Sequence, residues 1–418
     1  MFKRIKIASH VAILKIRYSI PAIELFSLML YLTAKALVLF APVQATAFLM
    51  RSHRNTRSQK RQHNIETIFE KHHLLNEKIL IKLMPEHFRP EVMLPGRIFK
   101  VKEPHGNEKG ALIVKFTAIF AMLRTHYDLS GLLRDYYFIL EPSYSGYCTP
   151  EILGFLDYKN SAVIVQAAEK MDYEFLQRLD SNLIPIEMGS SNWVDDRVFC
   201  DLKLHKEYDC IMVALWGDIK RHYLLFDALR KIDDPGFRVC LVGRPWGRRL
   251  HEMEELAEFY GVRKNIDFYE KLRPHEVNVM LNKAKVNLLL TLKEGANKSI
   301  FEGFFANVPG LVLKENIGVN KSYLNEQTGR LVARKELAEE LLWFRENYSK
   351  FRPREWAMEH ISPSVSTSLL EARMKEISIK RGEPWTRSLV VKVNRPECEY
   401  YNPEEALSPL DLSLYSKH

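Results

Sequence analysis

Residues 288–302, Leu-Leu-Leu-Thr-Leu-Lys-Glu-Gly-Ala-Asn-Lys-Ser-Ile-Phe-Glu, join an unbroken apolar run to a helical segment through a loop containing Gly295. The run reads as a buried strand and the loop as the turn into a helix. Backbone N–H groups from Gly295 to Ser299 then face outward at the helix N-terminus, beyond the carboxyl end of a parallel strand. There α/β sheets bind ligands, and orphan N–H groups and the helix dipole favour an anion. Glu294 and Glu302 bracket this phosphate-sized place. At 1.5 Å of rise per residue they stand roughly 10 Å apart, too far to work on one bond as nucleophile and acid. That spacing suits two hydroxyl-bearing groups joined by a diphosphate, one held by each carboxylate.

Working outward, short Val/Ile/Leu runs alternate with amphipathic helical stretches from Gly110 onward. Strands are expected at 111–116, 137–140, 162–165 and 184–186, with a helix over 171–179. A second series places strands at 209–215, 238–242, 266–268, 286–290 and 311–313, with helices over 222–231, 249–260, 275–282 and 298–307. Near-continuous apolar strands between helices predict parallel sheets covered on both faces. Two such series give an α/β chain of two Rossmann-like doubly wound domains facing across a cleft. The expected division is 1–65, an extension; 66–200, a shortened N-terminal acceptor-side domain; 201–350, the C-terminal donor domain; and 351–418, terminal helices and an irregular tail from Arg395.

Of the 418 residues, 61 are Lys or Arg and 52 are Asp or Glu, a formal +9. Residues 1–65 hold eleven of the basic residues and one acid, Glu24, or +10, so the other 353 residues sum to −1. A nucleic-acid-binding groove in the folded body loses its support. The excess flanks the most apolar stretch of the chain, 22–50, which Lys35 splits and Pro42 weakens. A Lys at mid-bilayer costs about 2.5–3.5 kcal/mol on insertion scales. The expectation is therefore a monotopic or re-entrant element on an anionic membrane surface. A single spanning helix, helices packed on the protein itself and a transit peptide are the alternatives.

The five scattered cysteines include no C-x-x-C pair, and neither a disulfide framework nor a zinc site follows from them. Dinucleotide and P-loop fingerprints are missing, as are H-E-x-x-H, G-x-S-x-G and any Asp-x-Asp, two aspartates with one residue between them. His72 and His73 are adjacent and point in different directions on a helix, so they make no ligand pair.

Glu294 to Glu302 resembles the E-x7-E motif of retaining nucleotide-sugar glycosyltransferases with the GT-B fold, the group 1 family. The likeness extends through Leu-Val-Gly at 241–243, 261–268, 275–284, Val-Pro-Gly at 308–310 and Thr-Gly-Arg-Leu-Val at 328–332, in family order. It is strong over 208–332 and weak in the N-terminal half. The resemblance implies that Glu294 holds the hydroxyls of the transferred sugar and Glu302 those of the ribose. Gly295, Ala296, Asn297, Lys298 and Ser299 would meet sugar or phosphate. Lys220, with Arg221 beside it, falls where the family places a cation for the departing diphosphate, although Leu215 stands where its partner arginine is usual.

On the acceptor side the candidates are Glu141, Tyr144, Tyr147 and His126. The tyrosines could stack on a sugar, and Glu141 could bind hydroxyls, take a proton, or be a buried turn cap. His126 closes a helix. The expected activity is sugar transfer with retention from a nucleoside diphosphate sugar, with no metal or other cofactor, to a polysaccharide or lipid-linked acceptor. The rival is an inert glycosyltransferase-like binding or scaffold protein. Asn297, Asn320 and Asn347 sit in N-x-[ST] sequons, and a glycan on Asn297 would block the donor loop. A cytoplasmic enzyme, peripheral on a membrane, is therefore expected.

Overall fold

The computed structural model of the chain describes residues 2–85, 93–94, 96–295, 297–394 and 398–417. They form two compact units, each assembled from separated parts of the sequence. A six-stranded unit comprises Met1–Tyr18 and Ser191–Val365, and a five-stranded unit comprises Ser19–Ser190 and Ser366–His418.

The first helix, α1 (Phe2–Arg17), belongs to the six-stranded unit, where Val11 and Leu14 enter the core. The next three, α2 (Ile20–Leu37), α3 (Pro42–Asn55) and α4 (Gln59–Lys71), belong to the five-stranded unit. Ser19 caps α2 by accepting a hydrogen bond from Ala22 N, and Pro21 sits in its first turn, where a missing N–H costs nothing.

In the five-stranded sheet the order is β1 (Ile98–Lys102), β2 (Gly110–Lys115), β3 (Tyr136–Glu141), β4 (Val163–Gln166) and β5 (Leu183–Ile186). The last four are parallel, and β1 runs antiparallel at the edge. Every residue of β2, β3 and β4 is buried, because helices such as α5 (Thr117–His126) and α6 (Lys170–Arg178) cover the faces. Ala34 of α2 and Ala45, Leu49 and Met50 of α3 lie in the same core.

The second sheet, entirely parallel, has the order β11-β10-β9-β6-β7-β8. Its strands are β6 (Cys210–Val213), β7 (Val239–Gly243), β8 (Ile266–Glu270), β9 (Asn287–Leu289), β10 (Gly310–Leu313) and β11 (Gly329–Val332). Among its helices are α7 (His222–Ile232), α8 (Leu250–Tyr260), α9 (Pro274–Asn282) and α10 (Ser299–Phe305). The chain runs outward from β6 to β8, then crosses back to β9 and runs the other way. Between β6 and β9 the winding reverses, and such a point opens a crevice at the carboxyl ends of the strands.

The long helix α11 (Pro363–Lys380) carries the chain back into the five-stranded unit, where β12 (Lys392–Asn394) and β13 (Cys398–Tyr400) form a hairpin. The chain after Arg395 is thus built into a domain rather than being an irregular tail. The N-terminal 65 residues are likewise no separate extension. Their first 18 join one unit and the rest join the other, because α1 and α3 each bury an apolar stripe in a core.

Candidate active site

Three loops leave the carboxyl ends of β6, β9 and β10, which are neighbours in the six-stranded sheet. The loop after β6 carries Lys220 and Arg221 and ends at α7. The loop after β9 carries Glu294, and the loop after β10 carries Glu315 and Ile317. Backbone pairing ties the second to the third: Glu294 N donates to Ile317 O at 2.7 Å, and Ile317 N donates to Leu292 O at 2.9 Å. Asn316 Nδ2, buried, adds a 3.0 Å bond to Thr291 O.

Side chains close the third edge. Lys220 Nζ donates to Glu294 Oε1 at 2.5 Å, and Thr291 Oγ1 donates to the same oxygen at 2.7 Å. Lys220 and Glu294, expected to serve one ligand although 74 residues apart in sequence, therefore meet at the switch point. Both are largely withdrawn from water, with side chains 16% and 10% exposed. Low local dielectric makes their charges act strongly on anything bound beside them.

Arg221 occupies a left-handed conformation, φ +58°, as N-cap of α7. A side chain there costs of order 1–3 kcal/mol and persists only where surroundings hold it. Its guanidinium is buried, and Nη2 donates to Glu315 Oε1 at 2.8 Å. Nε and Nη1 have no hydrogen-bond partner among the described residues. Glu315 was not foreseen. Nothing in the sequence separates it from any other loop acid, since its importance lies in facing Arg221.

Just upstream, Asp218 accepts from Arg248 Nε at 2.6 Å and lies 3.1 Å from His10 Nε2 of α1. The N-terminal helix therefore abuts the Lys220 turn, a contact across 208 residues of sequence. His222, at the start of α7, is pushed down to about 3 by burial, with the Lys220 and Arg248 cations adding to the effect.

Helix α10 is set close against β9. Asn287 Nδ2 donates to Ser299 O at 2.7 Å, and a Cβ on Gly303 would lie 2.8 Å from that same nitrogen. Ile300, Phe301, Phe304 and Phe305 fill the core and leave Glu302 on the polar side of the helix, its side chain 14% exposed. Burial raises the Glu302 carboxyl above its ordinary value, and Lys298, 4.0 Å away, opposes that rise. Asn297 Oδ1 accepts from Ile300 N at 3.3 Å and thus occupies one of the helix's free donors. Gly295, Lys298 and Ser299 line the same loop, and Ala296 lies outside the described residues.

The acceptor-side candidates do not come together. Glu141 ends β3, but Lys392 Nζ donates to its Oε2 at 2.6 Å and Asn394 Nδ2 to its Oε1 at 2.9 Å. It is a core carboxylate held by the C-terminal hairpin, where the sequence reading left it open to acceptor. Tyr147 is buried as well: its hydroxyl donates to Gln166 O at 2.7 Å and its N–H to Asp172 Oδ1 at 2.8 Å, so it offers no face to a sugar. His126 ends α5, whose N-terminus follows the carboxyl end of β2. Ten residues of helix carry it some 15 Å toward the opposite end of the sheet. Tyr144, 46% exposed, remains open.

Residues 201–355 match the family of glycosyl transferases group 1. No curated protein matches the chain. Among solved structures, TarM (from S. aureus) aligns over 63% of this chain and 54% of its own, at 16% identity and a TM-score of 0.50. Sucrose-phosphate synthase from Thermosynechococcus elongatus aligns over 64% and 74%, at 14% identity and a TM-score of 0.50. Anabaena HepE, solved in complex with UDP, aligns over 75% and 89%, at 12% identity and a TM-score of 0.50. The chain spans about half the length of the TarM structures it matches. At these identities the likeness is one of fold, two Rossmann-like parallel-sheet domains of the GT-B kind. With its loops at the β6/β9 switch point, the stretch 201–355 is similar to the glycosyl transferases group 1 family.

Proposed function

We propose that the chain transfers a sugar, with retention of anomeric configuration, from a nucleoside diphosphate sugar seated at the β6/β9 switch point. The meeting of Lys220 with Glu294 carries this reading, because it puts one cation and one acceptor side by side where a diphosphate and its sugar would lie. In this reading Glu294 accepts hydrogen bonds from the sugar hydroxyls and fixes the anomeric carbon. Lys220 faces the diphosphate as its leaving oxygen gains charge, stabilisation worth most in a water-poor site. Glu302, one turn into α10, takes the ribose hydroxyls. The departing phosphate oxygen can accept the acceptor's proton, so no side chain need be a strong base, and the cations supply the neutralising charge without a metal.

HepE was solved with UDP, which supports a nucleotide donor for a chain of this fold. The acceptor we propose is a carbohydrate or glycolipid. The Asn297 side chain packs on the first turn of α10, so a glycan there would cover the donor loop, and we place the reaction on a cytosolic face. Incubation with a panel of nucleotide sugars should release the nucleoside diphosphate slowly without acceptor, and NMR of the product sugar should show the donor's anomeric configuration. Nucleotide binding without release from any donor would favour an inert binding protein. Inverted product would contradict the retaining mechanism.

A further inference from the structure

Large apolar side chains lie open along one side of α2. Leu25, Leu28, Met29 and Leu32 are exposed at helical spacings of three and four, Phe26 stands beside them, and Leu39 and Phe40 follow at the turn into α3. The last two are 72% and 86% exposed. Such a continuous stripe marks a surface that meets something apolar. Its rim is cationic: Lys35 and Arg51 are exposed, with the Arg51 guanidinium 5.1 Å from the Phe26 ring centroid. Glu24, the one acid of residues 1–65, is already engaged by Thr56 Oγ1, Arg57 N and Arg61 Nη1 at 2.6–2.8 Å.

The other side of α2 is fixed to the protein. Ser27 Oγ donates to Ser52 O at 3.0 Å and Ser52 Oγ donates to Ser27 O at 2.8 Å, a reciprocal buried pair. Ala34 and, on α3, Ala45, Leu49 and Met50 belong to the core of the five-stranded unit. By length alone the 18 residues of α2, about 27 Å at 1.5 Å each, come close to the ~30 Å of a bilayer core. Crossing would strip the Ser27–Ser52 pair and the Glu24 contacts from α3 and its flank.

We propose that α2 and the turn at 38–41 form a monotopic wedge that lies in one leaflet of an anionic bilayer, with α3 staying on the protein. The apolar stripe meets acyl chains while Lys35 and Arg51 reach acidic headgroups. This inference is independent of the donor reading and is tested with lipid alone. Full-length protein is sedimented with vesicles of phosphatidylcholine, and of phosphatidylcholine with 30% phosphatidylglycerol. Wild type should pellet with the acidic vesicles, less so as salt rises. The doubly substituted Leu39→Ser/Phe40→Ser and Met29→Ser/Leu32→Ser variants should each bind at least tenfold more weakly at an unchanged melting temperature, since all four side chains are open to solvent. The proposal fails if both variants bind like wild type or wild type ignores acidic vesicles. It fails too if alkaline carbonate cannot extract wild type from cell membranes, which would mean a spanning helix. A stable dimer that the substitutions abolish, with no lipid binding, would assign the stripe to a second copy of the chain and also overturn it.

Discussion

Replacing Lys392 by Met tests whether the C-terminal hairpin is a structural part of the five-stranded unit. Lys392 Nζ reaches Glu141 Oε2 at 2.6 Å and Asn394 Oδ1 at 3.1 Å, and Lys115 Nζ bonds the same Asn394 oxygen at 3.0 Å. All four side chains are buried. Burial alone would push the Glu141 carboxyl upward, but the Lys392 and Lys115 cations bring it below its ordinary value. Without Lys392 the carboxylate keeps Asn394 and the more distant Lys115. Breaking a buried pair on one side costs about 3–5 kcal/mol, and the surviving cation puts this case near 3. For a unit of this size that is a fall in melting temperature of about 6–12 °C, seen by differential scanning calorimetry as a shift in one of two transitions. Adding Glu141→Leu removes the stranded charge and should recover most of the loss, because an apolar pair can replace a buried ion pair at little cost. A single variant within about 0.5 kcal/mol of wild type, or a double variant worse than the single, would refute the reasoning.

Glu294→Gln should lower turnover roughly 10- to 150-fold, the equivalent of about 1.5–3 kcal/mol for a charged hydrogen bond, while leaving calorimetric affinity for the nucleoside diphosphate nearly unchanged. Glu302→Gln should do the reverse, and equal effects would contradict the assigned roles. Lys220→Ala should slow transfer by about ten- to a thousandfold in single-turnover kinetics; a silent Lys220→Ala beside a damaging Arg221→Ala would shift the cation to Arg221. The two units should respond differently to acid. In the five-stranded unit burial raises Glu66 and Glu108, but hydrogen bonds from His53 and Arg178 and from Lys102 and Thr386 hold both at about 2, against 4.5 unfolded. Their contribution is complete above pH 4.5 and disappears as pH falls through 2. In the six-stranded unit His222 stays neutral until about 3, whereas unfolded chain takes up the proton near 6.5, so stability declines across that interval. Urea melts at pH 7, 5 and 3.5 should show the six-stranded unit weakening first, and His222→Asn should flatten its dependence.

The parallel strands were legible because each is an apolar run long enough to speak for itself, and β2 to β5 and β6 to β10 lie within two residues of expectation at either end. The resemblance assigned Lys220 and Glu294 to one ligand, and the two side chains do meet, at 2.5 Å. What was hidden depends on partners remote in sequence. Glu141 reads as a loop carboxylate until Lys392, 251 residues later, is seen against it. Strands β12 and β13 have three residues each, too short for any period to show. The apolar stretch 22–50 read as one feature, yet its two helices have opposite fates. Composition cannot tell the stripe that α3 buries from the one that α2 leaves open.

The threading of the five-stranded unit bears on how the protein is made. Its parallel sheet is encoded before residue 190, but Lys392 and Asn394, the two side chains that bond Glu141, are encoded after all six strands of the other unit. At about 5–20 residues per second a ribosome needs about 13–50 s to pass from Glu141 to Lys392. Throughout that interval a nascent chain holds Lys115 and Glu141 without their hairpin, while the later-encoded unit can already close. The unit whose sheet is encoded first is completed last, so chaperone attention during synthesis should fall on residues 19–190.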